Sequence, residues 1–122
     1  MKNAPFPIEF LPCSAERIPL ADSSVDAVVT TWSLCTIPDA DTALKEMKRV
    51  LKADGHLIFV EHGRAPDPEV RVWQDRLNPV WKRVAGGCNL NRKIDELLEQ
   101  AGLQFVEIER RYTEAPRAFG YL

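Results

Sequence analysis

Two short, mostly apolar runs are the clearest structural signals in this 122-residue chain. Residues 25–29 and 57–60 are rich in β-branched or aromatic side chains and are bounded by polar residues or glycine. Such runs are typical of parallel strands that are buried on both faces. Between them, apolar side chains recur at helical spacing, at Leu44, Met47, Val50 and Leu51. The order strand, helix, strand therefore predicts a right-handed βαβ unit and an α/β fold.

The boundaries of the first helix can also be read from the sequence. Asp39 and Asp41 are residue types that cap a helix N-terminus. Residues 52–55 contain Gly55 and end the helical pattern. Upstream, residues 8–11 alternate apolar and polar side chains before Pro12, which predicts a short strand there.

A second helix is predicted over residues 68–84. Its apolar side chains recur at helical spacing, at Val70, Trp73, Leu77, Trp81 and Val84. Pro79 lacks a backbone donor, so we expect the helix to be kinked or split near Asn78.

The last third of the chain predicts another helix and two strands. Asn91 can cap a helix that buries Ile94, Leu97, Leu98 and Ala101, with Gly102 as its C-terminal stop. Residues 105–112 then alternate as in a strand with one solvated face, and residues 118–122 begin a final strand after Pro116. The two strands predict a hairpin-like end.

Charge and cysteine content narrow the function classes. Sixteen basic and eighteen acidic side chains give a net charge of −2, which argues against a dedicated nucleic-acid surface. No apolar run approaches the length that spans a bilayer, and Pro5 and Pro7 interrupt any signal-peptide core. Cys13, Cys35 and Cys88 lack close pairing, which indicates reduced thiols and a cytoplasmic protein. A zinc site built from these cysteines with His56 and His62 is a disfavoured alternative, because neither a CxxC nor an HxxxH spacing is present.

In an open α/β sheet, ligands bind beyond the carboxyl ends of the parallel strands. The segments at these ends are residues 30–36 and Glu61-His62-Gly63. Together with residues 13–29, these segments resemble the middle of a class I S-adenosylmethionine (SAM)-dependent methyltransferase of the type 11 family. The combination with Trp81-Lys82, Gly86-Gly87-Cys88 and Asn91-Arg92 resembles the small thiol methyltransferase-like subgroup of that family.

The resemblance implies a cofactor, SAM, and residues that contact it. The loop containing Ser14, Ala15 and Glu16 would lie along the adenine, with Ser14 in place of the family's usual acidic residue. The segment containing Thr31, Trp32 and Leu34 would pack under the sulfonium and ribose. For one of Trp32 and Leu34, packing in the core is the alternative interpretation, and for Ser14 and Ala15 it is a simple chain turn.

Residues of the acceptor side are implied by the same resemblance. His62 follows the second parallel strand, and histidine changes charge near neutral pH, so it could take a proton from the acceptor or position it. Glu61, Trp81, Gly87 and Cys88 would line the acceptor pocket, the helix and glycine turn acting as a lid. A structural role for His62 stays open, and Cys35 is expected to be a small buried hydrophobe rather than a nucleophile.

The resemblance covers only the second part of the family's domain. It implies a partial Rossmann-like fold over residues 1–122 as one truncated domain, with a mostly parallel sheet and an antiparallel C-terminal strand pair. The family's first strands and its glycine-rich SAM loop are expected to have no counterpart in this chain. Without them, the strand at 25–29 would have a bare edge, which predicts self-association or strand exchange between copies.

Two functions follow as alternatives. The first is methyl transfer from SAM to a small or lipophilic acceptor, by this chain or by a protein of which it is the C-terminal portion. The second is a non-catalytic interaction or dimerisation module. A nicotinamide-dependent Rossmann enzyme is disfavoured, because the chain has neither a G-x-G-x-x-G turn nor a Tyr-x-x-x-Lys pair.

Overall fold

The computed structural model describes residues 5–122 and has a βαβ unit at its centre. The elements in chain order are β1 (Val25–Thr31), α1 (Ala40–Val50), β2 (Leu51–Val60), α2 (Pro68–Val84) and α3 (Ile94–Gln100). The fold is α/β and partially Rossmann-like, as the sequence predicts. None of the helices in the described range is both long and apolar enough to cross a membrane.

Strands β1 and β2 pair in parallel. Val28 lies opposite Leu57 and Thr31 opposite Val60, with an irregularity in register between Val25 and Ala27. Asp39 caps α1 by accepting from the Thr42 backbone N–H at 3.0 Å, which confirms the predicted cap. Because β1 and β2 are parallel, both strands end at the same edge of the sheet, where residues 32–36 and 61–63 follow them.

The core lies on one face of the sheet only. Helices α1 and α3 pack there, and the buried side chains are Leu34, Ala43, Leu44, Met47, Ile94, Leu98 and Ala101. Val28, Leu57 and Phe59 pack against this cluster. On the opposite face Val29 is 69% exposed, Ile58 55% and Val60 47%. The prediction of strands buried on both faces was therefore wrong, because no element of residues 5–122 covers the second face.

Helix α2 runs unbroken through Pro79, so the predicted split does not occur. Its apolar stripe is only partly buried: Val70 packs inside, whereas Trp73 is 56% and Val84 74% exposed. The helix is anchored instead by Gln74, a buried side chain that donates to the Gly63 carbonyl and accepts from the Ala65 N–H.

Helix α3 begins after Lys93, not at a cap formed by Asn91. The Asn91 amide donates to the Asp75 carboxylate at 2.8 Å, so the predicted cap was wrong because a partner on α2 takes the side chain. Gly102 follows α3 with a φ of +75°, which confirms the predicted C-terminal stop.

None of the three strands predicted at 8–11, 105–112 and 118–122 forms in the described residues. Residues 8–11 have no regular structure, and Phe10 is 71% exposed because no second strand lies beside it. Residues 105–111 are likewise irregular, and the antiparallel pair is reduced to one bridge between Tyr112 and Tyr121. Reciprocal backbone hydrogen bonds between Arg111 and Leu122 flank that bridge.

Candidate cofactor and acceptor site

The residues that follow β1, β2 and α2 meet at one place. His62 Nε2 lies 2.8 Å from Cys88 Sγ, and Cys88 Sγ lies 3.5 Å from Cys35 Sγ. The Trp32 ring packs edge-on against the His62 ring, with centroids 6.1 Å apart. The structure thus brings together three residues that the sequence assigns to the cofactor side or the acceptor side: Trp32, His62 and Cys88.

Glu61 holds the two strand ends together. Its Oε1 accepts from the Ser33 backbone N–H at 2.9 Å and from the Thr30 hydroxyl at 3.1 Å. Its second oxygen, Oε2, is buried without a hydrogen-bond partner among residues 5–122. Glu61 therefore has a structural role at this edge of the sheet.

The loop predicted to contact adenine is tied to α1. Ser14 is exposed and its hydroxyl accepts from the Glu16 N–H at 3.1 Å. Glu16 Oε1 accepts from the backbone N–H of Asp39, the cap residue of α1, at 3.0 Å. Asp39 in turn accepts a hydrogen bond from the Thr42 backbone N–H, and this bond lowers the pKa of the Asp39 carboxyl. The Ser14 hydroxyl faces solvent, whereas the Glu16 carboxylate is engaged in positioning the helix.

The segment after β1 divides into exposed and buried side chains. Thr31 and Trp32 are exposed, and Trp32 has a φ of +53°, in the left-handed region that non-glycine residues rarely adopt. Leu34 has no exposed surface and packs in the core. Of the two residues for which core packing was the alternative, Leu34 is the one that is buried.

Two predicted acceptor residues lie near the end of α2. Trp81 is half-buried, its ring centroid is 4.7 Å from that of Phe119, and its Nε1 has no partner in the described part of the chain. Gly87 has a φ of +93°, which a glycine adopts at low cost, and it turns the chain into Cys88. Among the described residues, neither a hydrogen bond nor ring packing joins Trp81 to His62.

Three contributions to the site were not identified in the sequence. Cys35 lies beside Cys88 although the two are 53 positions apart. Asn89 donates from its backbone and its side chain to the Cys35 carbonyl, both at 2.9 Å. Arg92 donates to the carbonyls of Leu34 and Ile37 at 2.5 and 2.7 Å. The sequence named Arg92 only as part of the Asn91-Arg92 pair, which gave no indication of its partners.

With this geometry in view, comparisons with known proteins agree on a family. A family model described as a methyltransferase domain matches residues 1–59. A thiol S-methyltransferase, TMT1B of Rattus norvegicus, is 40% identical over 98 residues, which is 80% of this chain and 39% of the relative. The thiol S-methyltransferase TMT1A of Homo sapiens is 37% identical over the same shares of each chain. The chain belongs to the class I SAM-dependent methyltransferases.

The solved structures support this methyltransferase assignment at the level of fold. A proposed methyltransferase from Bacillus halodurans superimposes with a TM-score of 0.73 at 26% identity, over 87% of this chain and 50% of that one. The YcgJ protein of Bacillus subtilis gives a TM-score of 0.68 at 23% identity, over 83% and 43% of the two chains. The chain spans about two fifths of the length of the curated relatives given above and half of the first of these structures.

Two exposed side chains of the candidate site have chemistry suited to the adenosine end of SAM. An exposed hydroxyl at Ser14 and an exposed indole at Trp32 suit hydrogen bonding to, and stacking on, an adenosine group. The earliest glycine in the given sequence is Gly55, which lies within β2.

Proposed function

We propose that this chain is a methyltransferase domain that orients a small or lipophilic acceptor, a thiol in the first instance, for methylation by SAM. One observation carries the proposal: Trp32, His62 and Cys88 are adjacent at the carboxyl ends of β1 and β2. The thiol class is suggested by the names of the relatives from rat and human. Residues 1–122 are proposed to act as one domain.

SAM, when bound, supplies a methyl group on a sulfonium that is already a good leaving group. The task left to the chain is to align the acceptor and to exclude water. Ser14, Ala15, Glu16, Thr31 and Trp32 are proposed to contact the cofactor, with Leu34 supporting them from the core.

His62 is proposed to accept the proton of the acceptor at Nε2, the atom now beside Cys88 Sγ. Burial of the ring keeps that proton away from bulk water. Glu61, Trp81, Gly87 and Cys88 are proposed to line the acceptor pocket. A cytoplasmic location, where thiols stay reduced, accords with the three free cysteines.

The test is calorimetric titration of the 122-residue chain with SAM and S-adenosylhomocysteine, followed by methyl transfer to a series of small thiols and alcohols. We expect saturable binding with one site per chain or per dimer. We also expect methyl transfer to be lost in His62→Gln and kept in His56→Gln. His56 is an exposed histidine on β2 and serves as the matched control. Absence of binding by folded protein would contradict the proposal.

A second function, a non-catalytic dimerisation module, is favoured by the apolar sheet face. Val29, Ile58 and Val60 are about half exposed or more, and Trp32 at the strand end is 59% exposed. Within residues 5–122, β1 pairs only with β2, so its other edge offers free backbone groups. Self-association without cofactor binding would support this alternative.

A further inference from the structure

The buried cluster of Cys35, His62 and Cys88 has a donor set that methyl transfer does not require. The three side chains are 1%, 7% and 8% exposed. Their ligand atoms, two sulfurs and one nitrogen, all lie within 4.8 Å of one another. They come from three separate segments, after β1, β2 and α2, which is why no spacing in the sequence indicates them.

We propose that Cys35, His62 and Cys88 form a binding site for a thiophilic d10 cation, for which Zn²⁺ is the probe. Thiolate and imidazole ligands select zinc and copper(I) over magnesium or calcium, which prefer oxygen. No carboxylate belongs to the cluster. Two thiolates and one divalent cation are neutral together, which is the state that burial favours.

The distances are close to those of a tetrahedral site. Bond lengths of about 2.3 Å to sulfur and about 2.0 Å to nitrogen place two sulfurs about 3.8 Å apart and sulfur and nitrogen about 3.5 Å apart. The two sulfurs are 3.5 Å apart, so they need almost no movement. The nitrogen of His62 is 2.8 Å from Cys88 Sγ and would have to withdraw by about 0.7 Å.

The surroundings hold the ligands in place before any cation arrives. Asn89 donates two hydrogen bonds to the Cys35 carbonyl and so fixes the Cys88 turn against the segment after β1. The Thr36 hydroxyl lies 3.4 Å from Cys35 Sγ and can donate to a thiolate there. Such outer partners orient ligands and raise affinity.

Three protein ligands leave the fourth tetrahedral position for water or an added thiol. The inference goes beyond the proposed function, because a cation on Nε2 occupies the lone pair that a proton acceptor uses. A chain with bound zinc is therefore expected to lose any transfer that depends on His62.

The first test is titration of the fully reduced, metal-free chain with Co²⁺, whose thiolate ligation gives a charge-transfer absorption band, followed by displacement with Zn²⁺. One cation per chain is expected. Cys88→Ser and His62→Gln should weaken binding at least tenfold, while Cys13→Ser and His56→Gln, at exposed positions, should leave it unchanged. A missing band, or a band that survives Cys88→Ser, would overturn the proposal.

The second test needs no variant, which matters if a buried substitution prevents folding. The rate at which a thiol reagent modifies each cysteine is measured with and without Zn²⁺. Zinc should slow modification of Cys35 and Cys88 and leave exposed Cys13 unchanged. Equal rates in both conditions would overturn the proposal. Neither test uses SAM or an acceptor, so its outcome is separate from that of the proposed methyl transfer.

Discussion

The Glu61 carboxylate, at the end of β2, accepts a hydrogen bond from the Ser33 backbone N–H, just beyond β1. The same oxygen accepts from Thr30, so one buried acceptor joins the two strand ends where the candidate site lies. Both donors therefore depend on this one side chain for their partner.

Glu61→Ala leaves both donors without their partner and should lower the free energy of unfolding by about 2–4 kcal/mol. Glu61→Gln keeps one acceptor oxygen and should lose less. Urea unfolding followed by circular dichroism measures both, with Glu107→Ala, at an exposed position, as the control. Equal stability of Glu61→Ala and the natural chain would show that the two strand ends are held by other contacts.

Ser14→Ala tests the predicted adenine loop without disturbing α1. Within residues 5–122 the exposed Ser14 hydroxyl accepts one hydrogen bond, from the nearby Glu16 N–H, so its loss should leave stability almost unchanged. One lost hydrogen bond to the cofactor should weaken S-adenosylhomocysteine binding about fivefold to tenfold. Calorimetry measures this, and Ser24→Ala, in another exposed loop, is the control. An unchanged affinity would mean that the loop only turns the chain.

Acid should remove one identifiable contribution to stability. Hydrogen bonds from Arg49, and then from the Ile18 N–H, lower the pKa of Glu46 from 4.5 to about 2. A carboxyl with a depressed folded pKa stabilises the protein above its unfolded pKa, and this contribution is lost as the pH falls toward the folded value.

Glu46→Gln should therefore be less stable than the natural chain at pH 7, and the difference should shrink between about pH 4.5 and pH 2. Thermal unfolding at several pH values measures the difference. Glu99→Gln, near the C-terminus of α3 and exposed, should show no such trend. A difference that stays constant down to pH 2 would contradict the assignment.

Local signals in the sequence predicted the centre of the fold better than its periphery. The cap at Asp39, the two parallel strands and the stop at Gly102 depend on neighbouring residues, which a sequence displays. Asn91 failed as a cap because Asp75, from a distant helix, takes its amide. The strands predicted at 8–11 and 105–112 did not form, because an alternating segment becomes a strand only when another strand lies beside it.

The candidate site shows the same limit. His62 and Cys88 were identified separately, one from its position after a strand and the other from a glycine turn. Their contact, and the presence of Cys35 beside them, depend on the crossover that brings three segments to one sheet edge. Distances along the chain carry no such information, and therefore the sequence could not indicate a shared ligand.

The uncovered sheet face makes self-association measurable. Val29 is 69% exposed on β1, a strand with one unpaired edge among the described residues, and a second copy would bury it. Val29→Lys places a charge on this face, which natural edge strands use to prevent pairing. Losing the burial of one valine should weaken dimerisation about tenfold or more. Sedimentation equilibrium over a range of concentrations measures this, with Val106→Lys, 88% exposed and outside the sheet, as the matched control. A natural chain that is monomeric at the highest concentration, or a Val106→Lys variant that dissociates as readily, would show that the sheet face is not the dimer contact.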